Sequence, residues 1–170
     1  MKKTYEHTQI GYTTLSLLAL GIAFVTFWLV VKGFTWLGFV LLVVLDLSLI
    51  LFSTLTVVVR DGVLELTFGP GIYHKRIALS EVQHCDVTRN PWFFGWGIRW
   101  IPGGWLYNVS GFQAVVLVMR NGQQYRIGTD EPQKLLAAVK QALIFQSNST
   151  AGAERGASGG PYADAVISEK

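Results

Sequence analysis

The sequence predicts a two-helix membrane hairpin followed by a mainly-β domain of about seven short antiparallel strands, closed by one C-terminal helix. Three observations carry this. Between Gly11 and Leu55 the only charged residues are Lys32 and Asp46. From Thr56 the chain changes to β-branched runs and period-two alternation, interrupted by Asp61-Gly62 and Asn121-Gly122. After Asp130 the apolar period lengthens to that of a helix.

The first apolar run, Thr13 to Val31, is nineteen residues without a charge. At about 1.5 Å rise per residue it spans roughly 30 Å, the thickness of a bilayer core. A second run, Trp36 to Ser53, follows after "KGFT", and so short a link makes the two helices antiparallel neighbours. A cleaved signal peptide has a shorter apolar core and a small-residue cleavage site, which this pattern lacks. Lys2 and Lys3 precede the first helix and Arg60 follows the second, whereas the link carries Lys32 alone; this bias puts both termini in the cytoplasm. The expected organisation is a cytoplasmic N-terminus (1–12), a transmembrane hairpin (13–53), a β domain (54–146) and a disordered tail (147–170). Asp46 is anomalous within the second helix, because a carboxyl group at membrane depth costs several kcal/mol unless protonated or partnered. It is a candidate intramembrane packing residue, with Ser16 and Thr26 of the first helix within reach; proton or subunit coupling is the alternative.

In the domain, "TVVVRDGVLELTFG" reads as two strands joined at Asp61-Gly62, and "QAVVLVMRNGQQYRIG" as a second hairpin with a favoured turn pair. "IYHKRIAL" and "VQHCDVT" add further strands. "TDEPQKLLAAVKQALIFQ" places Leu135, Val139 and Leu143 on one helical face, with Asp130 as N-cap, Pro132 in the first turn and Gln133 in capping-box position. Beyond Gln146 the chain is small, polar and glycine-rich, too poor in apolar surface to fold by itself.

Of the 170 residues, 51% are hydrophobic and 15% charged, with a formal net charge of +3. So small and scattered an excess argues against a nucleic-acid partner, which requires a clustered basic face. A single cysteine, Cys85, excludes an internal disulfide and a cysteine-based zinc cage. The one cluster with catalytic residue types is His74, His84, Cys85 and Asp86. On a strand, His84 and Asp86 share a face and Cys85 takes the other, which splays any Cys–His pair apart. An enzyme using His84 and Asp86 is therefore the weakest of three functional alternatives, and no cofactor or metal site is expected.

The most distinctive segment is "NPWFFGWGIRWIPGGWLYNVSG", Asn90 to Gly111, with four of the six tryptophans. It lacks the glycine spacing and lysine of a phosphate-binding loop and opens onto no helix N-terminus. Alternation puts Trp96, Ile98 and Trp100 on one strand face and Gly97, Arg99 and Ile101 on the other, with Pro102-Gly103-Gly104 turning the chain back through "WLYN". Large apolar groups on both faces imply that one packs inward while the other meets the bilayer interface, a protein partner or the C-terminal helix. Trp92, Phe93, Trp96, Arg99, Trp100 and Trp105 form the candidate interaction surface.

This segment, followed by "NGQQYRIGTDEP" and a leucine–alanine helix, resembles bacterial membrane-anchored proteins with a pleckstrin-homology-like (PH-like) domain; the resemblance covers roughly Thr54 to Gln146, and the helix hairpin in front matches their layout. It implies an inner-membrane protein with a cytosolic PH-like domain of unassigned biochemical role. It does not bring phosphoinositide recognition with it, since the Asp61-Gly62 turn is flanked by Arg60 alone, with only Lys75 and Arg76 beyond. The expected role is a non-enzymatic module for protein interaction or self-assembly, the alternative being lipid or membrane-state sensing through the tryptophan-rich hairpin.

Overall fold

The computed structural model describes the backbone of residues 3–157 and the side chains of residues 5–146. Its first element lies where the sequence suggests only a tail. Strand β1, Lys3–Ile10, pairs antiparallel with β2, Thr54–Arg60, from Ile10 opposite Thr54 to Lys3 opposite Arg60. Residues 3–10 therefore share a sheet with residues 54–60, where the sequence suggests a domain starting at residue 54. The strand escapes sequence reading because its less exposed side carries Tyr5, His7 and Gln9 instead of aliphatic residues. It is held by the β2 ladder and by polar contacts, among them Gln9 Nε2 donating to the Ser110 carbonyl at 3.1 Å.

Between these paired strands the chain makes two helices, α1 (Tyr12–Lys32) and α2 (Trp36–Leu51). Helix α1 is long and apolar enough to cross a membrane; its most apolar window has a mean hydropathy of 2.3 and is only 6% buried. The core helix of a soluble domain would be covered; this one presents its apolar surface outward. Helix α2 is equally apolar but has 16 residues, about 24 Å at 1.5 Å per residue. The two pack side by side, with Gly21 against Leu45 and Gly38 against Leu29.

Strands β3 (Val63–Phe68) and β4 (Tyr73–Ala78) complete a four-stranded antiparallel sheet in the order β1-β2-β3-β4. Asp61 and Gly62 both take positive φ, 47° and 76°, as a tight hairpin between right-twisted strands requires. The second sheet runs β5-β8-β9-β7-β6, formed by β5 (Val82–Arg89), β6 (Gly97–Ile101), β7 (Gly104–Asn108), β8 (Gln113–Met119) and β9 (Gln124–Gly128). The described residues thus hold nine strands against about seven expected, and one pairing, β7 with β9, is parallel where antiparallel pairing was expected throughout.

Helix α3, Pro132–Ala157, packs on β5 and β8 and reaches β1 and β2. The inner faces of both sheets and α3 meet in one core around Leu55, Leu64, Leu66, Leu117, Ile127 and Val139. Phe52, at the end of α2, stands edge-on to Phe68 at 6.2 Å, and Phe68 in turn approaches Tyr107 at 6.2 Å. Such pairs contribute about 0.5–1.5 kcal/mol each beyond area burial, so the helical pair is tied to the domain core by packing as well as by chain. Helix α3 also corrects the expected tail. Backbone through residue 157 is helical, and residues 158–170 lie outside the described residues.

Candidate functional site

The tryptophan-rich segment contains the expected hairpin. Strand β6 is the edge of the second sheet, and Trp100 lies opposite Trp105 across the β6–β7 ladder. Gly104 is required there for close approach, because a Cβ would stand 1.8 Å from the Gln124 carbonyl oxygen on β9. The alternation holds for Ile98 and Trp100, but their environments differ. Ile98 and Trp105 pack against the core, while Trp100 reaches past the core's rim and stays 62% exposed, edge-on to Trp105 at 5.4 Å. On the opposite face Ile101 and Leu106 are buried and Arg99 is exposed, its guanidinium folded back beside Gly95.

The stretch before β6 is a separate structure. Pro91 leads into a single 3-10 turn, Trp92–Phe94, whose rings contact in sequence: Trp92 to Phe93 at 6.1 Å and Phe93 to Phe94 at 5.1 Å. Trp92 is 78% exposed and Phe93 64%. Phe94 turns inward, with the Arg126 guanidinium 5.5 Å from its ring centre. Both ends of this stretch are fastened to the loop before β8: the Asn90 N–H donates to the Phe112 carbonyl at 2.7 Å, and Trp96 Nε1 donates to the Gly111 carbonyl at 3.1 Å. Trp96 therefore lies outside β6, with its ring beside Phe112. Sequence reading did not single out Phe112, Ile72 or Tyr12, exposed apolar residues that each follow a glycine in the chain.

His84 and Asp86 do share the exposed side of β5, with Cys85 buried behind them. Burial pushes the Cys85 thiol up, the wrong direction for a nucleophile. The Asp86 carboxylate accepts from the Val87 N–H at 2.7 Å. His74 stands on the other sheet, its Nδ1 3.0 Å from Thr67 Oγ1. Among the described residues, no group of three or more His, Cys, Asp or Glu side chains is placed to hold a metal ion. A shallow groove of about 490 Å³ along β3 and β4 of the first sheet is lined by Glu65, Leu66, His74, Lys75 and Arg76. Its charge is internally shared: Glu65 bridges Arg60 and Arg76, both at 2.9 Å, and Lys75 lies over the Tyr125 ring.

Asp46 departs from its expected place. It is exposed on α2 and has no hydrogen-bond partner among the described residues, so it does not pin α2 to α1. The neighbouring Leu45 makes the interhelical contact instead, and one residue on a helix turns the side chain by about 100°.

No protein family, curated protein or solved structure matches the chain. The functional reading therefore rests on the residues and their placement alone.

Proposed function

We propose that the protein is a non-enzymatic, membrane-anchored interaction module of the bacterial inner membrane, whose cytoplasmic β domain engages a protein partner or a second copy of itself. The apolar, uncovered α1 supports the anchor. The β1–β2 ladder supports a double crossing. Residues 10 and 54 are paired neighbours and must lie on one side of any bilayer that α1 enters, so α2 makes the return. Lys2, Lys3 and Arg60 on that side favour the cytoplasm. We read the domain as PH-like: a four-stranded meander facing a second sheet, closed by a C-terminal helix. On this reading the helical pair is inserted between the first two strands, and β6–β7 is an added hairpin.

The observation that carries the interaction role is the β6 edge. An edge strand offers unpaired backbone N–H and C=O groups, and proteins that have no use for them usually guard them with charge or proline. Here the edge carries Trp100, a large exposed aromatic of the kind that anchors interfaces, beside a single guanidinium from Arg99. Addition of an extended segment to this edge is the fitting mode of recognition. A photo-crosslinking amino acid at position 100, in native membranes, is expected to give a discrete adduct that the same group at exposed Lys134 on α3 does not. Equal or absent crosslinking at both positions would overturn the reading.

A further inference from the structure

The aromatic segment divides into two surfaces, and only one of them belongs to the edge. We propose that the half nearest the helices is a lipid-contacting collar, which seats the domain in the headgroup region of an anionic bilayer. This rests on the proposed insertion of α1 and α2.

The argument is positional. At the base of α1, Thr14 Oγ1 donates to the Val109 carbonyl at 2.6 Å and Thr13 Oγ1 lies 3.1 Å from Ser110 Oγ. A Cβ on Gly11 would stand 2.8 Å from the Phe52 carbonyl oxygen, so both helix ends and the loop before β8 meet at one point. Trp96 and Asn90 are hydrogen-bonded to that same loop, at Gly111 and Phe112. The β3–β4 turn joins from the other sheet, where the Gly69 N–H donates to the Thr54 carbonyl at 2.9 Å just below α2. Three loops thus form the surface from which the helices emerge, and each carries exposed apolar side chains: Ile72, then Trp92 and Phe93, then Phe112, with Tyr12 at the helix base.

No linker separates this surface from the apolar span, since Ile10 ends β1 and Tyr12 begins α1. The headgroup zone is only about 5–8 Å deep on each side of the hydrocarbon core, so these loops lie in or against it. Tryptophan and tyrosine favour that zone, being apolar bodies with a polar edge. Arg89 closes the adjacent end of β5, and Arg99 folds its guanidinium back toward Gly95 on the same side. Both are exposed, and an exposed guanidinium beside an interfacial aromatic suits a lipid phosphate. Trp100, three residues beyond Gly97 at the start of β6 and about 10 Å from it at 3.3 Å per residue, falls outside the collar.

The test uses the full chain in mixed phosphatidylcholine–phosphatidylglycerol vesicles, with a nitroxide placed through Leu20→Cys, Ile72→Cys, Trp92→Cys or Trp100→Cys, one at a time. Cys85 is buried, so the chain without an added cysteine gives the background. Accessibility to oxygen relative to a water-soluble nickel complex reads depth. Leu20 is expected to be deepest, 72 and 92 intermediate, and 100 fully aqueous; Phe93→Cys replaces position 92 if that variant misfolds. A deep Leu20 with 72, 92 and 93 as aqueous as 100 overturns the collar and leaves the anchor standing. An aqueous Leu20 overturns both.

Discussion

Tyr5 shows how a residue in an apparent tail can govern the domain. Burial, and then the nearby Glu131 carboxylate, push its phenol up to about 12 from the usual 10. Below pH 10 the folded and unfolded chains both hold the proton, and this group adds no pH dependence. Between about pH 10 and 12 the unfolded chain ionises first, so stability falls as pH rises through that window. A melting temperature followed across that range should drop, and Tyr5→Phe should flatten part of the drop. Tyr107, also pushed up by burial and by its hydrogen bond to Tyr73, retains the remainder. An unchanged slope in Tyr5→Phe would show that the phenol is not buried against β1's neighbours. Single residues were only partly legible in the sequence. Period-two alternation placed Ile98 and Trp100 on one face correctly, but nothing local says that the core ends between them. Asp130 looks like a helix cap by its spacing, yet its carboxylate lies 2.6 Å from His7 Nε2, and Thr129 supplies the side-chain oxygen, to the Glu131 N–H. The sequence could not signal this, because His7 belongs to a strand that only tertiary pairing creates.

At the scale of elements, strongly periodic segments were readable and the polar edge was not. The Asp61-Gly62 and Asn121-Gly122 turns, the α1 run and the start of α3 all follow from local chemistry. Strand β1 and the parallel β7–β9 pairing arise from long-range assembly, which leaves little trace in hydrophobic pattern. The pairing has a direct consequence. Ile10 and Thr54 are cross-strand partners, and the Gly11 N–H donates to the Ser53 carbonyl at 2.8 Å, so the helical pair occupies the position of a hairpin turn. Replacing residues 11–53 by Asn-Gly should therefore give a soluble, cooperatively folding domain. A fragment beginning at residue 54 lacks β1, bares the β2 edge and should melt earlier or aggregate. Circular dichroism melts and size-exclusion elution of the two proteins decide this; equal stability would mean that β1 contributes nothing to the domain.

Across the whole molecule, an apolar helical pair stands on the end of a two-sheet domain, with an aromatic rim at the junction and an open edge strand pointing away from it. This arrangement gives the aromatic segment two separate proposed tasks, lipid contact near the helices and protein contact at Trp100. Both depend on the proposed double crossing, which the β1–β2 ladder demands once α1 is in the bilayer. Sidedness of labelling by a membrane-impermeant maleimide tests it most directly, with Phe34→Cys in the interhelical link and Gln83→Cys on the exposed side of β5. Position 34 should react in spheroplasts and position 83 only in inverted membrane vesicles. Reaction of both positions from the same side would contradict the double crossing and the anchored module built on it.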